Sequence, residues 1–369
     1  MFPPRSSRFF QNSEKKRAFI YSLAFLSILS FILAKLIAEK PPGIKGEMIL
    51  ASKLMREATD AVRRCQEAMG LVIDRNIDPN ATGLIGFDTS QITTSLGNLE
   101  AKRTTTNPNF AGLLVRLLDE AGAKRGDAVA IGASSSFPAL ILASLCATKA
   151  MDLKPLLICS LGASQWGANN PDFHWLDIQE CLQQAGLLNI QPLALSLGGE
   201  ADSGQGMSPE GRDFLIREAG RRGLRVLEES DLQNNVRERL HLYEAAAGER
   251  GIKVFINVGG SYANLGTDSR ILNLKPGLAE FHDLPPQERR GVVFEMASRG
   301  IPVIHLLYVK GLSERYGLPW DPSPLPEPGK GEIYKAKVLS GRPFFLVGAT
   351  YLFLAGLLFF LFILKRRSR

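Results

Sequence analysis

The chain has 369 residues and a formal net charge of +7 at pH 7, a balance that suggests a nucleic-acid partner. The positive excess lies at the two ends, because residues 1–37 carry six Lys or Arg against one acidic residue and residues 343–369 carry four against none. Residues 38–342 carry 34 basic and 36 acidic residues, a net charge of −2, which argues against nucleic acid as a partner.

A basic tail, residues 1–17, precedes an apolar run that is uncharged except for Lys35. This run predicts a transmembrane helix over residues 18–38, since about 20 apolar residues in a helix cross the hydrocarbon core of a bilayer. A cleaved signal peptide is the alternative. Its apolar region usually has only about 7–15 residues, and no clear A-x-A cleavage site follows here, so we expect an uncleaved anchor.

A helical and polar-loop region is predicted for residues 39–125. Apolar residues recur at three- and four-residue steps over 47–69, which is typical of an amphipathic helix, and a second helix is predicted over 110–123. The passage 78–109 between them is rich in Thr and Asn and contains Lys102 and Arg103. The composition of residues 93–110 fits either a solvated loop or a binding segment in which these two cations contact carboxylates.

Residues 126–318 alternate between short β-rich apolar runs and helical segments. Strands are predicted at 128–131, 155–159, 190–194, 224–227, 254–258 and 303–307. Helix-start signals occur at Ser136-Phe-Pro138, at Ser208-Pro209-Glu210 and at Ser230 or Asp231, and glycines that can end helices stand at Gly223, Gly251 and Gly300. The pattern predicts an α/β fold with a mainly parallel, doubly wound (Rossmann-like) sheet.

Residues 319–342 begin with the Pro-rich stretch PWDPSPLPEPGK and are predicted to form an extended tether. An uncharged apolar run predicts a second transmembrane helix over 343–364, followed by a basic tail at 365–369. Flanks rich in Lys and Arg stay on the cytoplasmic side of a membrane. The sequence therefore predicts two cytoplasmic termini and an α/β domain outside the cytoplasmic (inner) membrane, on the periplasmic side.

Small polar residues follow four of the predicted strands, and the carboxyl ends of parallel strands meet at one edge of a sheet. Glycine lets the backbone approach a ligand, while hydroxyls and free helix N–H groups donate to oxyanions. The loops therefore suggest a carboxylate or phosphate site. The predicted binding residues are Lys102, Arg103, Ser160, Ser164, Gly259, Gly260, Ser261 and Asn264.

Nucleophilic catalysis is a sharper form of the same hypothesis. One of Ser134, Ser135 and Ser136 would stand on a strand-to-helix turn, with His174 and Asp202 after the next two strands, so a Ser/His/Asp grouping is conceivable. The spacing is not G-x-S-x-G, and His174 can equally begin a helix while Ser136 caps one.

Cofactor and metal motifs are missing from the sequence. Cys65, Cys146, Cys159 and Cys181 show neither C-x-x-C nor zinc spacing, the histidines are scattered, and no Walker, G-x-G-x-x-G or H-E-x-x-H sequence occurs. We expect no metal and no cofactor. An oxidising exterior would permit a disulfide, although buried thiols suit Cys146 and Cys159 equally well.

Several segments of the chain carry distinctive motifs: residues 99–104 (LEAKRT) with 107–110 (NPNF), residues 131–140 (IGASSSFPAL), and residues 162–169 (GASQWGAN) with 175–177 (WLD). These segments resemble the poly-γ-glutamate system proteins, a bacterial family encoded beside the machinery that makes and exports poly-γ-glutamate. The resemblance implies a pathway rather than a reaction. Its implied partners are the polymer itself and the synthase and export proteins of the membrane.

The pathway implied by the resemblance and the predicted site residues together suggest two functions. The first is a non-catalytic accessory protein of capsule or polymer synthesis, which binds the emerging poly-γ-glutamate or its partner subunits at the cell envelope. The alternative is a serine-dependent γ-glutamyl hydrolase or transferase outside the membrane. The first is favoured because the sequence contains no complete catalytic constellation.

Overall fold

The computed structural model describes residues 6–38, 43–335 and 342–367. It separates into a unit of residues 44–334 and a second unit formed by the two ends of the chain. Parts of both predicted basic tails and residues 336–341 of the predicted tether lie outside the described residues.

Helices and strands alternate along much of the chain. The helices in the described residues are α1 (Ser6–Ala38), α2 (Lys45–Ala68), α3 (Leu99–Thr105), α4 (Asn109–Glu120), α5 (Pro138–Ala150), α6 (Trp175–Gln184), α7 (Pro209–Arg221), α8 (Leu232–Ala247), α9 (Tyr262–Leu265), α10 (Val292–Ser298), α11 (Val309–Tyr316) and α12 (Arg342–Arg367). The strands there are β1 (Ala128–Ser134), β2 (Lys154–Ser160), β3 (Asn169–Asn170), β4 (Phe173–His174), β5 (Ala194–Ser196), β6 (Ile252–Val258), β7 (Gly277–Leu278) and β8 (Val303–Leu306).

Among the described residues, six strands form one sheet in the order β5-β2-β1-β6-β8-β7. All neighbouring pairs are parallel except β7 and β8. Successive residues of a strand point to opposite faces, and here both faces are buried. Val129 and Ile131 enter one core with α2, α4 and α5, whereas Ala128 and Ala130 enter a second core with α8 and α10. Helices therefore cover the sheet on both sides, which confirms the predicted α/β class.

Most predicted strands are confirmed, and two differ. The predicted strand at 190–194 is displaced to Ala194–Ser196, because Pro192 lacks the N–H that a ladder needs. The predicted strand at 224–227 is reduced to a single parallel bridge between Leu195 and Val226. Two helix-start predictions are confirmed by side-chain caps, since Ser208 accepts from the N–H of Gly211 and Asp231 from that of Asn234.

The terminal helices α1 and α12 contain the apolar windows Lys16–Lys35 and Phe345–Leu364, both long and apolar enough to cross a membrane. They pack against each other: the rings of Phe19 and Phe362 stack at 4.7 Å, and Ser27 Oγ lies 3.0 Å from the hydroxyl of Tyr351. As the numbering rises along α1 it falls along α12, so the pair is antiparallel.

Residues 319–334, which we call the strap, lie against the α/β unit, whereas the sequence predicted an extended tether. Asn109 on α4 donates to the carbonyl of Lys330 at 3.1 Å and accepts from the hydroxyl of Tyr334 at 2.7 Å. Ile333 and Tyr334 are buried. The difference arises because polar side chains of the 78–109 passage supply hydrogen-bond partners for the strap backbone.

A disulfide joins Cys65 on α2 to Cys181 on α6, residues 116 positions apart, with a Cα–Cα distance of 6.0 Å. Cys146 and Cys159 are buried free thiols. The cross-link ties the helix that follows the first apolar segment to the helical layer of the sheet.

Removal of this cross-link will destabilise the protein. Closing a loop of this length restricts the unfolded chain, so the double variant Cys65→Ser/Cys181→Ser should lose about 3–5 kcal/mol of unfolding free energy. Urea unfolding of the full chain in detergent, followed by tryptophan fluorescence, measures the loss. Dithiothreitol should lower the wild-type midpoint and leave that of the double variant unchanged; equal midpoints for both proteins without reductant would contradict the prediction.

Candidate functional site

A cavity of about 730 Å³ lies at the carboxyl edge of the parallel strands. The chain runs outward from β1 through β2 to β5, then returns to the other side of β1 for β6 and β8. At such a reversal the loops after the two central strands diverge and leave a crevice, where ligands of open α/β sheets bind. The cavity is lined by loop residues after β1, β2, β5, β6 and β8, by residues of 94–102, and by Trp320 of the strap.

The turn after β1 is held by its own serines. Ser134 Oγ donates to Ser136 Oγ at 2.9 Å and accepts from the backbone N–H of Ser136 at 3.2 Å. Ser136 Oγ also accepts from the N–H of Ser164 at 2.9 Å. Ser136 therefore joins the loops after β1 and β2, and Phe137, rather than Ser136, precedes the first turn of α5.

Close backbone packing fixes Ser164 in the loop after β2. A Cβ at Gly167 would lie 2.8–2.9 Å from backbone atoms of Ser136 and Ser135, so this approach requires glycine. The next residue, Ala168, donates its N–H to the carbonyl of Ser135 at 2.9 Å. The GASQWGAN segment thus holds Ser164 against the β1 turn.

Lys102 on α3 reaches into this junction. Its Nζ donates to Ser164 Oγ at 2.7 Å and to the carbonyl oxygen of Ser136, and lies 3.8 Å from the ring centroid of Phe137. The side chain is only 3% exposed, and in the described part of the chain no carboxylate forms an ion pair with it. Because burial disfavours the charged form, the pKa of Lys102 falls from 10.5 to about 7.

Neighbouring residues of α3 bind the strap. Arg103 forms an ion pair with Asp321, with an Nε–Oδ1 distance of 2.8 Å, and the carboxylate raises the pKa of the guanidinium. Thr104 Oγ1 accepts from the N–H of Asp321, and Glu100 accepts from the indole of Trp320. Arg103, predicted to bind polymer, is therefore occupied by a structural partner.

The structure does not assemble the Ser/His/Asp grouping that the sequence allowed. His174 caps α6: its Nδ1 accepts from the N–H of Leu176 at 3.2 Å, while burial lowers its pKa. Asp202 is buried in an ion pair with Arg239 and accepts from Ser196 Oγ at 3.0 Å. Each side chain has found a nearer partner, and neither lines the cavity.

Other predicted residues divide between the cavity and its surroundings. Ser160, Gly260 and Ser261 line the cavity. In the described chain, Ser160 Oγ and Ser261 Oγ are buried without a protein hydrogen-bond partner, so both hydroxyls have unused hydrogen-bonding capacity.

Three further predicted residues lie outside the cavity lining. Ser135 Oγ contacts Cys159 Sγ at 3.6 Å. Asn264 is buried against Gly132, and Gly259, with a φ of 80°, packs against Ser134.

The cavity mouth contains residues that sequence reasoning missed. Leu96, Tyr308 and the charged Lys310 are exposed residues of the cavity lining. Only Lys310 and Tyr308 carry a signal in the sequence, because they follow the last predicted strand at the same edge of the sheet.

The free energy of unfolding should depend on pH through the protonation of Lys102. Between about pH 7 and 10.5 the unfolded chain binds one proton more than the folded chain, so wild-type stability rises with pH in this window. Lys102→Met lacks the titrating group and should be more stable than wild type near pH 7, an advantage that shrinks by about 4 kcal/mol toward pH 11.

Urea unfolding of both full-length proteins in detergent from pH 6 to 11 measures this difference. Lys53→Met, which removes an exposed lysine on α2, provides the matched control and should show no such trend. A pH-independent difference between Lys102→Met and wild type would show that Lys102 has the same charge in both states.

In comparisons with known proteins, no family model, no curated protein and no solved structure matches this chain. The resemblance of its LEAKRT, IGASSSFPAL and GASQWGAN segments to poly-γ-glutamate system proteins therefore stays a prediction.

Proposed function

We propose that this protein is a membrane-anchored accessory protein of poly-γ-glutamate synthesis and export, and that its α/β domain binds the carboxylates of the polymer in the cavity after the parallel strands. The observation that carries the proposal is Lys102, an amine buried in the cavity wall without a carboxylate partner among the described residues.

A buried cation is strongly disfavoured unless an opposite charge accompanies it. The described surroundings of Lys102 offer a hydroxyl, a carbonyl and an aromatic face, all of them neutral. A ligand carboxylate near Nζ would supply the missing charge and stabilise the protonated amine. Binding above pH 7 should therefore be accompanied by proton uptake.

The remaining lining fits the repeat of γ-linked glutamate, which has a carboxylate, an amide and a short run of methylenes. Ser160 and Ser261 offer free hydroxyls, and Leu96 and Trp320 offer apolar surface for the methylenes. Glu100 and Glu200 also line the cavity, so attraction is local to Lys102 and Lys310 rather than spread over a basic face. The net charge of −2 over residues 38–342 agrees with this.

Three features support a location of the α/β domain outside the cytoplasmic membrane. The antiparallel packing of α1 and α12 suits two spans that begin and end on the same side. The basic residues concentrate at the outer ends of both apolar segments, as cytoplasmic flanks do. The Cys65–Cys181 disulfide suits an oxidising compartment.

Polymer binding should depend on Lys102. Full-length protein in nanodiscs, titrated calorimetrically at pH 8 with poly-γ-glutamate of defined length, should take up protons on binding. Lys102→Met should weaken binding about 10- to 100-fold, the usual worth of a hydrogen bond to a charged group, and should remove the proton uptake. Lys53→Met should bind like wild type. Equal affinities for Lys102→Met and wild type would rule out this residue as the anion site.

Both ends of the chain should lie in the cytoplasm. A fluorescent-protein fusion after Arg369 should fluoresce, and an alkaline phosphatase fusion there should stay inactive, because phosphatase needs disulfides that form only outside. Replacing Lys365, Arg366, Arg367 and Arg369 by Gln removes the flank that retains this end and should increase phosphatase activity. Active phosphatase in the unaltered fusion would contradict the proposed topology.

The alternative function, a serine-dependent γ-glutamyl hydrolase or transferase, is favoured by one specific observation: the 2.7 Å contact between Lys102 Nζ and Ser164 Oγ.

A further inference from the structure

We propose that Ser164 is a catalytic nucleophile and Lys102 its general base, so that the cavity cleaves or transfers an acyl group at an amide or ester carbonyl. The identity of the substrate as a γ-linked glutamyl amide rests on the proposed function; the Ser164–Lys102 pair itself does not.

The geometry singles out Ser164 among the clustered serines. In the described residues, Ser164 is the serine whose hydroxyl contacts a titratable amine, and it lines the cavity. Ser134 Oγ donates to Ser136, and Ser135 Oγ contacts Cys159 outside the cavity lining. A nucleophilic hydroxyl needs a base within hydrogen-bond reach, and Ser164 meets this requirement.

Lys102 is arranged to act as that base. In its neutral form the amine can donate to the carbonyl oxygen of Ser136 while its lone pair accepts the hydroxyl hydrogen of Ser164. With a pKa of about 7, roughly half of the amines are neutral at neutral pH, where a general base is most effective. The nearby ring of Phe137 helps to shield the pair from water.

Two proton transfers complete the first half of the reaction. Ser164 Oγ bonds to the carbonyl carbon while its proton passes to Lys102 Nζ, and the carbonyl oxygen becomes an oxyanion. When the C–N bond of an amide breaks, the protonated Lys102 gives this proton to the departing amine, leaving an acyl group on Ser164. Water, or another amine in a transfer, then attacks the acyl carbon and loses a proton to Lys102. The bond between the acyl carbon and Ser164 Oγ breaks, the acid or new amide leaves, and Lys102 returns the proton to Ser164 Oγ.

Ser136 supplies a donor beside the nucleophile. Its Oγ accepts from Ser134 Oγ and from the N–H of Ser164, so its own hydroxyl hydrogen is left to donate to a bound ligand. Ser136 is therefore a positioning residue, because it holds the backbone N–H of Ser164. The turn after β1, where the sequence predicted the nucleophile, supports the nucleophile Ser164 but does not contain it.

The test uses the full chain in nanodiscs and a fluorophosphonate probe, which reacts with activated serines by forming an Oγ–P bond with loss of fluoride. Peptide mass spectrometry locates the adduct. Wild type should be labelled at Ser164, with a rate that rises with pH through about 7 as Lys102 loses its proton. Ser164→Ala should not be labelled. The labelling rate of Lys102→Met should be lower than that of wild type by a factor of about 100 or more.

The matched control is Ser298→Ala, which removes the hydroxyl of an exposed serine on α10, outside the cavity lining, and should label like wild type. Thermal unfolding of each variant shows whether a loss of labelling reflects loss of fold. Labelling at another serine, a pH-independent rate, or no labelling of folded wild type would each overturn the pair.

Poly-γ-glutamate chain length, followed in parallel by gel electrophoresis, separates this proposal from the previous one. Labelling at Ser164 without polymer binding would support the pair and overturn poly-γ-glutamate as its ligand. Polymer binding that depends on Lys102, with no labelling and unchanged chain length, would overturn catalysis and leave the accessory function standing. Shortened or transferred chains that depend on Ser164 would support both.

Discussion

The arrangement of residues around the cavity has to satisfy one constraint: the amine of Lys102 is buried among neutral partners. Burial on this scale is unfavourable for a charged lysine, so the surrounding structure must hold the side chain in place. Lys102 is on α3, a helix of only two turns that would be unstable alone. The strap supplies what α3 lacks: Asp321 pairs with Arg103 and donates its N–H to Thr104, beside the lysine. Contacts of the strap with the two residues that follow Lys102 therefore help to hold the amine in place.

The sheet provides the other half of the arrangement. The order β2-β1-β6-β8 puts the loops after β1 and β6 on opposite sides of the point where the chain reverses direction. The loop after β2 then has to return toward the β1 turn, and Gly167 permits this approach because it has no Cβ to meet Ser135 and Ser136. Topology creates the crevice, and one glycine brings Ser164 within reach of a lysine that lies 62 positions earlier in the chain.

The sequence predicted what depends on local pattern or on general rules of parallel sheets. Apolar runs gave four strands, Ser208 and Asp231 marked helix starts, and the rule for carboxyl ends brought Ser160, Ser164 and Ser261 to one cavity. Contacts between side chains far apart in the sequence could not be predicted in this way. Arg103 and Asp321 are 218 residues apart, and nothing in either segment marks the other as its partner. For His174 and Asp202 the sequence predicted a distant pairing that does not form. His174 caps its own helix, and Asp202 forms a buried ion pair with Arg239, so neither contacts the predicted serines.

The binding role and the catalytic role proposed for this cavity are linked through the charge of Lys102. A carboxylate at Nζ stabilises the protonated amine and so removes the base that Ser164 would need. A neutral amide or ester carbonyl leaves the amine free to titrate near pH 7. If both proposals hold, the charge of the ligand decides which role the site performs, and a carboxylate product released beside Lys102 would inhibit its own formation. A protein that handles a polycarboxylate would then hold the chain by its free carboxylates and react only where an acyl carbonyl reaches Ser164. On the two proposals together, the same lysine would hold the polymer when a carboxylate lies at Nζ and would act as a base when an acyl carbonyl reaches Ser164.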